Sequence, residues 1–160
     1  MKSETDSMVQ TPGLAVLVLA IIVALYGLDR FLARAEQSEL EMEAQTQFSE
    51  GQRLLAGGKP HLAVQHLQRA SSLERANQEY ELALASAELA DGSIEKARET
   101  LNDILQDDAN NASANLLMAR AMVRENRFKD ADAHYHRAIY GRWPANSPHY
   151  PRPQLLYYLW

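Results

Sequence analysis

The chain has 160 residues, 46% of them apolar, and a formal net charge of −5, which suffices for one modest domain and an appendage. An acidic balance with no visible basic patch argues against a nucleic-acid partner, because neutralising phosphates needs clustered Lys and Arg. The absence of cysteine excludes disulfides, thiol nucleophiles and cysteine metal sites, and leaves the compartment open.

Residues 1–11 read as a short N-terminal tail. From Ser7 to Leu28 runs a stretch of 22 residues without a charge, about 33 Å if helical at ~1.5 Å per residue, close to a hydrocarbon core of roughly 30 Å. The span is placed over residues 12–33. Thr11 can cap it, Pro12 suits a first turn, and Tyr26 and Phe31 suit the far interface. Ten Leu, Ile and Val residues between Leu14 and Leu28 are together worth about −3 to −6 kcal/mol on the insertion scale. Asp29 and Arg30 fall at the edge, where they cost less.

A cleaved signal peptide, with Ala33-Arg34-Ala35 as its processing site, is the competing reading. The leader sets Lys2 against Glu4 and Asp6, so it lacks a basic start, and Asp29, Arg30 and Arg34 interrupt the approach to cleavage; both favour an uncleaved anchor. Lys2 before the span and Arg30 and Arg34 after it lean toward a cytoplasmic location for the repeats. The amino terminus nearly cancels that margin, so either side stays open. Residues 34–43 continue as a helical linker rich in helix formers. There Phe31, Ala35 and Met42 share a face that contacts either another subunit or the chain's own domain.

Beyond Ala44 one skeleton recurs. Ala63, Ala97 and Ala131 stand 34 residues apart. Four residues after each is a bulky side chain, Leu67, Leu101 or Tyr135, and three further on come Ala70, Ile104 and Ala138. Twelve residues before each is a small one: Gly51, Ala85, Ala119. Five before each are Gly58, Gly92 and Asn126, residues that tolerate a left-handed backbone. Helix pairs are predicted at 44–56 with 61–73, 78–90 with 93–106, and 112–125 with 128–140, and the polar run Asp107–Asn111 joins two of them. The units are bounded at 44–77, 78–111 and 112–145.

This 34-residue pattern resembles the tetratricopeptide repeat, a helix-turn-helix unit. It departs from that family at two positions: Gln47, Glu81 and Asn115 stand where Trp is usual, and Arg75, Ala109 and Trp143 where Pro is. The expected fold is all-α, an N-terminal transmembrane helix followed by an α-solenoid of three hairpins. Gly51, Ala63, Ala70, Ala85, Ala97, Ala119, Ala131 and Ala138 are the expected packing residues, since small side chains let paired helices approach. The resemblance also implies a concave partner groove from the first helix of each pair, with Phe48, Gln52 and Leu55, then Leu82 and Ser86, then Leu116 and Arg120. Leu89 and Val123 belong either to that groove or to the hairpin core. A basic clamp for a C-terminal carboxylate is absent, because Phe48, Gln52, Leu82 and Ser86 occupy the places of its Lys and Asn.

Residues 146–160 form a Pro- and aromatic-rich segment. Pro144, Pro148, Pro151 and Pro153 stop regular structure, and Tyr150 to Trp160 is too apolar for water. A truncated further repeat, a partner contact and an interfacial anchor are the alternatives there.

No catalytic constellation is visible. His134 and His136 lie two apart on a helix and diverge, His61 and His66 are poorly spaced for a metal, and there is no glycine-rich phosphate loop. Asn111-Ala112-Ser113 is a glycosylation triplet. No cofactor and no metal are expected. The resemblance to bacterial bitopic repeat proteins implies an inner-membrane scaffold, assembly factor or accessory subunit that binds protein partners, and contacts the bilayer through residues 12–33. The alternative is a purely structural subunit held through its membrane helix.

Overall fold

The computed structural model describes residues 11–143. Its six helices are, in order, α1 (Thr11–Ala56), α2 (Pro60–Leu73), α3 (Gln78–Asp91), α4 (Ile94–Asp107), α5 (Ala112–Arg124) and α6 (Phe128–Tyr140). Apart from the start anticipated at 44, which falls inside the unbroken α1, the helix ends anticipated from the 34-residue pattern fall within one residue of these. Residues 1–10 of the tail expected at 1–11, and the segment at 146–160 with its run Tyr150 to Trp160, lie outside the described residues.

The chain divides into two units, one ending at Leu40 and the other starting at Glu41. In the first, α1 carries Val16, Leu17, Val18, Leu19, Ile21, Ile22, Val23, Leu25 and Leu28 with about half or more of each side chain exposed. This helix is long and apolar enough to cross a membrane.

The second unit is an array of helix hairpins: residues 41–56 of α1 with α2, α3 with α4, and α5 with α6. Each hairpin turns in the same way. Gly58, Gly92 and Asn126 all have positive φ, at 69°, 85° and 61°. Behind each, two carbonyls of the ending helix are taken up in parallel fashion. Gly58 N–H donates to Leu55 O and Lys59 N–H to Leu54 O; Gly92 to Leu89 and Ser93 to Glu88; Asn126 to Val123 and Arg127 to Met122. This double bond is the Schellman cap, which satisfies orphan carbonyls only if one residue enters the left-handed region.

The joints between hairpins are built on asparagine. Asn77 Oδ1 accepts from Glu79 N–H and Asn111 Oδ1 from Ala114 N–H, capping α3 and α5 in the same register. Asn111 Nδ2 also donates to Gln78 Oε1 at 2.9 Å, linking the two capped starts. Asn111 is buried, so its amide is not accessible to a glycan-transferring enzyme in the folded domain.

All eight small residues expected at the helix crossings are buried. The tightest crossing is in the first hairpin, where a Cβ built on Gly51 would meet Leu67 Cγ at 2.6 Å. One core cluster joins the first two hairpins through Phe48, Leu67, Tyr80 and Leu84. Another joins the second and third through Leu101, Ile104, Leu116, Met118, Tyr135 and Ile139, with Trp143 against it. After α6 the chain returns to the array: Ala112 N–H donates to Arg142 O at 2.9 Å and Arg142 N–H to Asn110 O at 2.8 Å. Gly141 permits this approach, since a Cβ there would lie 2.5 Å from Asn110 O and 2.6 Å from Arg137 O.

The turn geometry fixes the sign of two substitutions. Gly92→Ala should lower stability by about 1–2 kcal/mol, the cost of a left-handed L-residue. Asn126→Gly should leave it unchanged or raise it slightly, since Gly adopts that conformation freely. Urea titrations of the full-length chain followed by circular dichroism would measure both.

Candidate partner surface

The first helices of the hairpins bring the anticipated groove positions onto neighbouring elements but divide them between surface and core. Gln52 is exposed, and Leu55, Leu82, Ser86 and Arg120 are half-buried. Phe48 and Leu116 are buried and hold the array together. The Phe48 ring lies 4.5 Å from that of Tyr80, centroid to centroid, and the Tyr80 hydroxyl donates to Gln45 Oε1 at 2.9 Å, which joins the first hairpin to the second. Burial raises the Tyr80 phenol above its usual range, and Glu74 and Glu79 add to this; the group remains a donor at neutral pH. Leu89 belongs to the core with Ala97 and Ala121, whereas Val123 is exposed. The exposed and half-buried members of this set are two leucines, an amide, a hydroxyl and a guanidinium. Such a set suits the apolar face and polar flank of a docked peptide or helix.

Behind this surface lies a feature that the repeat pattern alone does not reveal. His66 Nδ1 lies 2.7 Å from Gln47 Oε1 and His134 Nδ1 lies 2.9 Å from Asn115 Oδ1, each pair joining the two helices of one hairpin. Gln47 and Asn115 occupy the place of the family's Trp. Asn115 is fully buried and its Nδ2 donates to Ala109 O at 3.0 Å and Asn111 O at 2.8 Å. Those two bonds orient the amide, so its oxygen faces His134 and the imidazole must carry its proton on Nδ1. A sequence signal was present: both pairs span 19 residues, in matching register two repeats apart.

The middle hairpin solves the same crossing differently. Thr100 stands where the other hairpins have His, and its Oγ1 lies 3.3 Å from Glu88 Oε2 and 3.2 Å from Lys96 O. Burial raises the Glu88 carboxyl above its usual range; the Thr100 hydroxyl opposes that shift. Glu81 is also raised, by burial first and then by Asp103 and Asp107. Ion pairs cluster at the turn ends, where Arg98 reaches Glu95 at 3.0 Å and Glu125 at 3.1 Å, and Arg124 donates to Leu89 O. Among the described residues no three His, Asp or Glu side chains converge as metal ligands.

Residues 54–120 match the model of the tetratricopeptide repeat family. The array of hairpins is tetratricopeptide-like over that stretch. Its fold is similar to that of the Arabidopsis OM64 TPR domain, with a TM-score of 0.62 over 75% of this chain and 96% of that one, at 20% identity. No curated protein matches the chain in sequence. The tetratricopeptide domain is thus a protein–protein interaction module, of a kind that is typically non-catalytic.

Half-buried His134 and buried Glu88 give opposite pH responses. Burial holds His134 below its ordinary value of 6.5, with Arg137 adding to this and Asp130 opposing it. The fold thus favours neutral imidazole, and its contribution is complete above about pH 6.5 and lost as pH falls toward the depressed value. His134→Gln should flatten the loss of stability between about pH 7 and pH 5. Glu88, raised from 4.5, is costly in its charged form, so Glu88→Gln should raise the melting temperature at pH 7, and the gain should shrink as pH falls toward that value. Calorimetric scans over this range would check both slopes.

Proposed function

We propose that the protein is a single-pass membrane protein whose tetratricopeptide domain holds protein partners beside the bilayer, as a scaffold, assembly factor or accessory subunit. The proposed division is a tail at 1–11, a span at 12–33, a linker at 34–43, repeats at 44–77, 78–111 and 112–145, and a C-terminal segment at 146–160. The observation that carries this reading is the exposed apolar run of α1 from Val16 to Leu32, in one chain with an interaction module. A soluble protein rarely leaves so large an apolar surface in water, and lipid accepts a helix because its backbone polar groups are satisfied internally. Arg30 and Arg34 at the end of the span favour a cytoplasmic domain.

A second reading has the protein as a structural subunit held through its membrane helix, with the groove unoccupied. The burial of Phe48 and Leu116 favours it, because both are withdrawn from any client.

The full-length chain should resist alkaline carbonate extraction and, purified gently from its own membrane, should bring protein partners with it. Gln52→Ala with Leu55→Ser and Leu82→Ser should release a client bound in the groove and leave the chain in the membrane. Retention of one complex at fixed stoichiometry despite these changes would favour the structural subunit. Release of the chain by carbonate would overturn both membrane readings. With no native cysteine, Ala109→Cys on the exposed α4–α5 joint would report the side. Labelling of intact cells by an impermeant maleimide would reverse the cytoplasmic assignment.

A further inference from the structure

In the first unit the apolar run ends in a stripe of three side chains on one face of α1: Tyr26, Arg30 and Arg34, four residues apart. Arg30 donates to the Tyr26 hydroxyl from both Nε, at 3.1 Å, and Nη2, at 2.7 Å, and its guanidinium carbon stands 5.2 Å from the centre of the Tyr26 ring. The phenol oxygen accepts twice, so its own proton remains for an acceptor outside the chain. Arg34 is exposed.

The carboxylates nearby are on the wrong side. At about 100° per residue, Asp29, Glu36 and Glu39 lie roughly 100° to 180° around the helix from Arg30. No acidic residue stands three or four positions from either arginine, the spacings at which a helix makes ion pairs. In the second unit, by contrast, Arg53, Arg69, Arg98, Arg127 and Arg142 each reach a carboxylate. Arg30 and Arg34 are thus two like charges in neighbouring positions on one face, an arrangement that is repulsive until an anion is shared between them.

We infer that Tyr26, Arg30 and Arg34 form a binding site for the phosphate of an anionic phospholipid headgroup in the leaflet where the span ends. The inference rests on the membrane reading above and goes beyond it, because it names a lipid chemistry and the side chains that select it. The arginine forks supply paired donors matched to phosphate oxygens. Tyr26 fixes the position of one fork and adds its own donor at the depth where phenols are favoured. The occupant is a lipid because the stripe continues the apolar run without a gap. A phosphate bound here would have its acyl chains beside Ile22, Val23 and Leu25, all exposed.

The test uses the full-length chain in nanodiscs of phosphatidylcholine with increasing phosphatidylglycerol, and native mass spectrometry of the lipids retained after release. The wild-type chain should retain phosphatidylglycerol preferentially. R30Q/R34Q should lose that preference, by roughly fivefold for each arginine at about 1 kcal/mol per basic residue near an anionic surface. R30K/R34K should keep part of it, as charge without the fork. Arg75→Gln, at an exposed position of the repeat domain, should change nothing. Failure of the wild-type chain to enter the bilayer would overturn the membrane reading together with this site. Entry with equal retention of both lipids, or a preference that survives in R30Q/R34Q, would overturn the site alone. So would loss of an acidic protein partner from R30Q/R34Q in a chain with no lipid preference of its own.

Discussion

The repeat domain depends on one crossing, made three times: a small residue on the first helix of a hairpin against a bulky one on the second. Leu67 and Leu101 are fully buried, and Tyr135 nearly so. In the first hairpin Leu67 sits so close that the facing residue has no side chain at all. Helices this close must have parallel ends and turns of one length, which is why Gly58, Gly92 and Asn126 share a left-handed conformation. The 34-residue period is a consequence of that contact, because each hairpin must present the same face to the next to cover an apolar side it cannot bury alone.

Next to this crossing the packing varies from hairpin to hairpin. The family's aromatic ring is replaced there by groups that must be satisfied in other ways. Burying an amide or imidazole without a partner costs roughly 1–3 kcal/mol, so substitution on one helix demands an answer on the other. Gln47 is answered by His66 and Asn115 by His134. In the middle hairpin Thr100 turns to Glu88 instead. The exchange removes aromatic packing and half-buries His134, which couples the stability of the array to pH.

The period, the turns and the helix ends were legible in the sequence because each depends on a residue whose backbone or volume is unusual: glycine or asparagine at φ > 0, alanine at a crossing. The eight small residues were legible for the same reason. What could not be read were interactions between groups that are ordinary one at a time. A histidine is informative only when the hairpin geometry places it opposite a particular amide. Gly141 looks like any glycine after a helix, and its role emerges only because the backbone at Asn110 comes within touching distance. Of the residues expected to face a partner, Phe48 and Leu116 instead join the core, because register gives a helix face but not how much of it the neighbouring hairpin covers.

The first hairpin differs from the others in how it begins. Asn77 and Asn111 start α3 and α5 by capping them, and the residue in the same register of the first repeat is Glu43, inside α1. A glutamate has too long a side chain to serve as a cap, and nothing there interrupts the helix. The Glu43 carboxylate turns instead to Arg69 on α2, at 2.8 Å. The sequence thus omits a stop signal at the one repeat boundary that comes after the apolar run, although it supplies one at each of the next two. Good helix formers from Glu36 to Glu43 serve the same end. A break here would leave orphan backbone groups next to the bilayer interface in the membrane reading, and an uninterrupted helix satisfies them within itself.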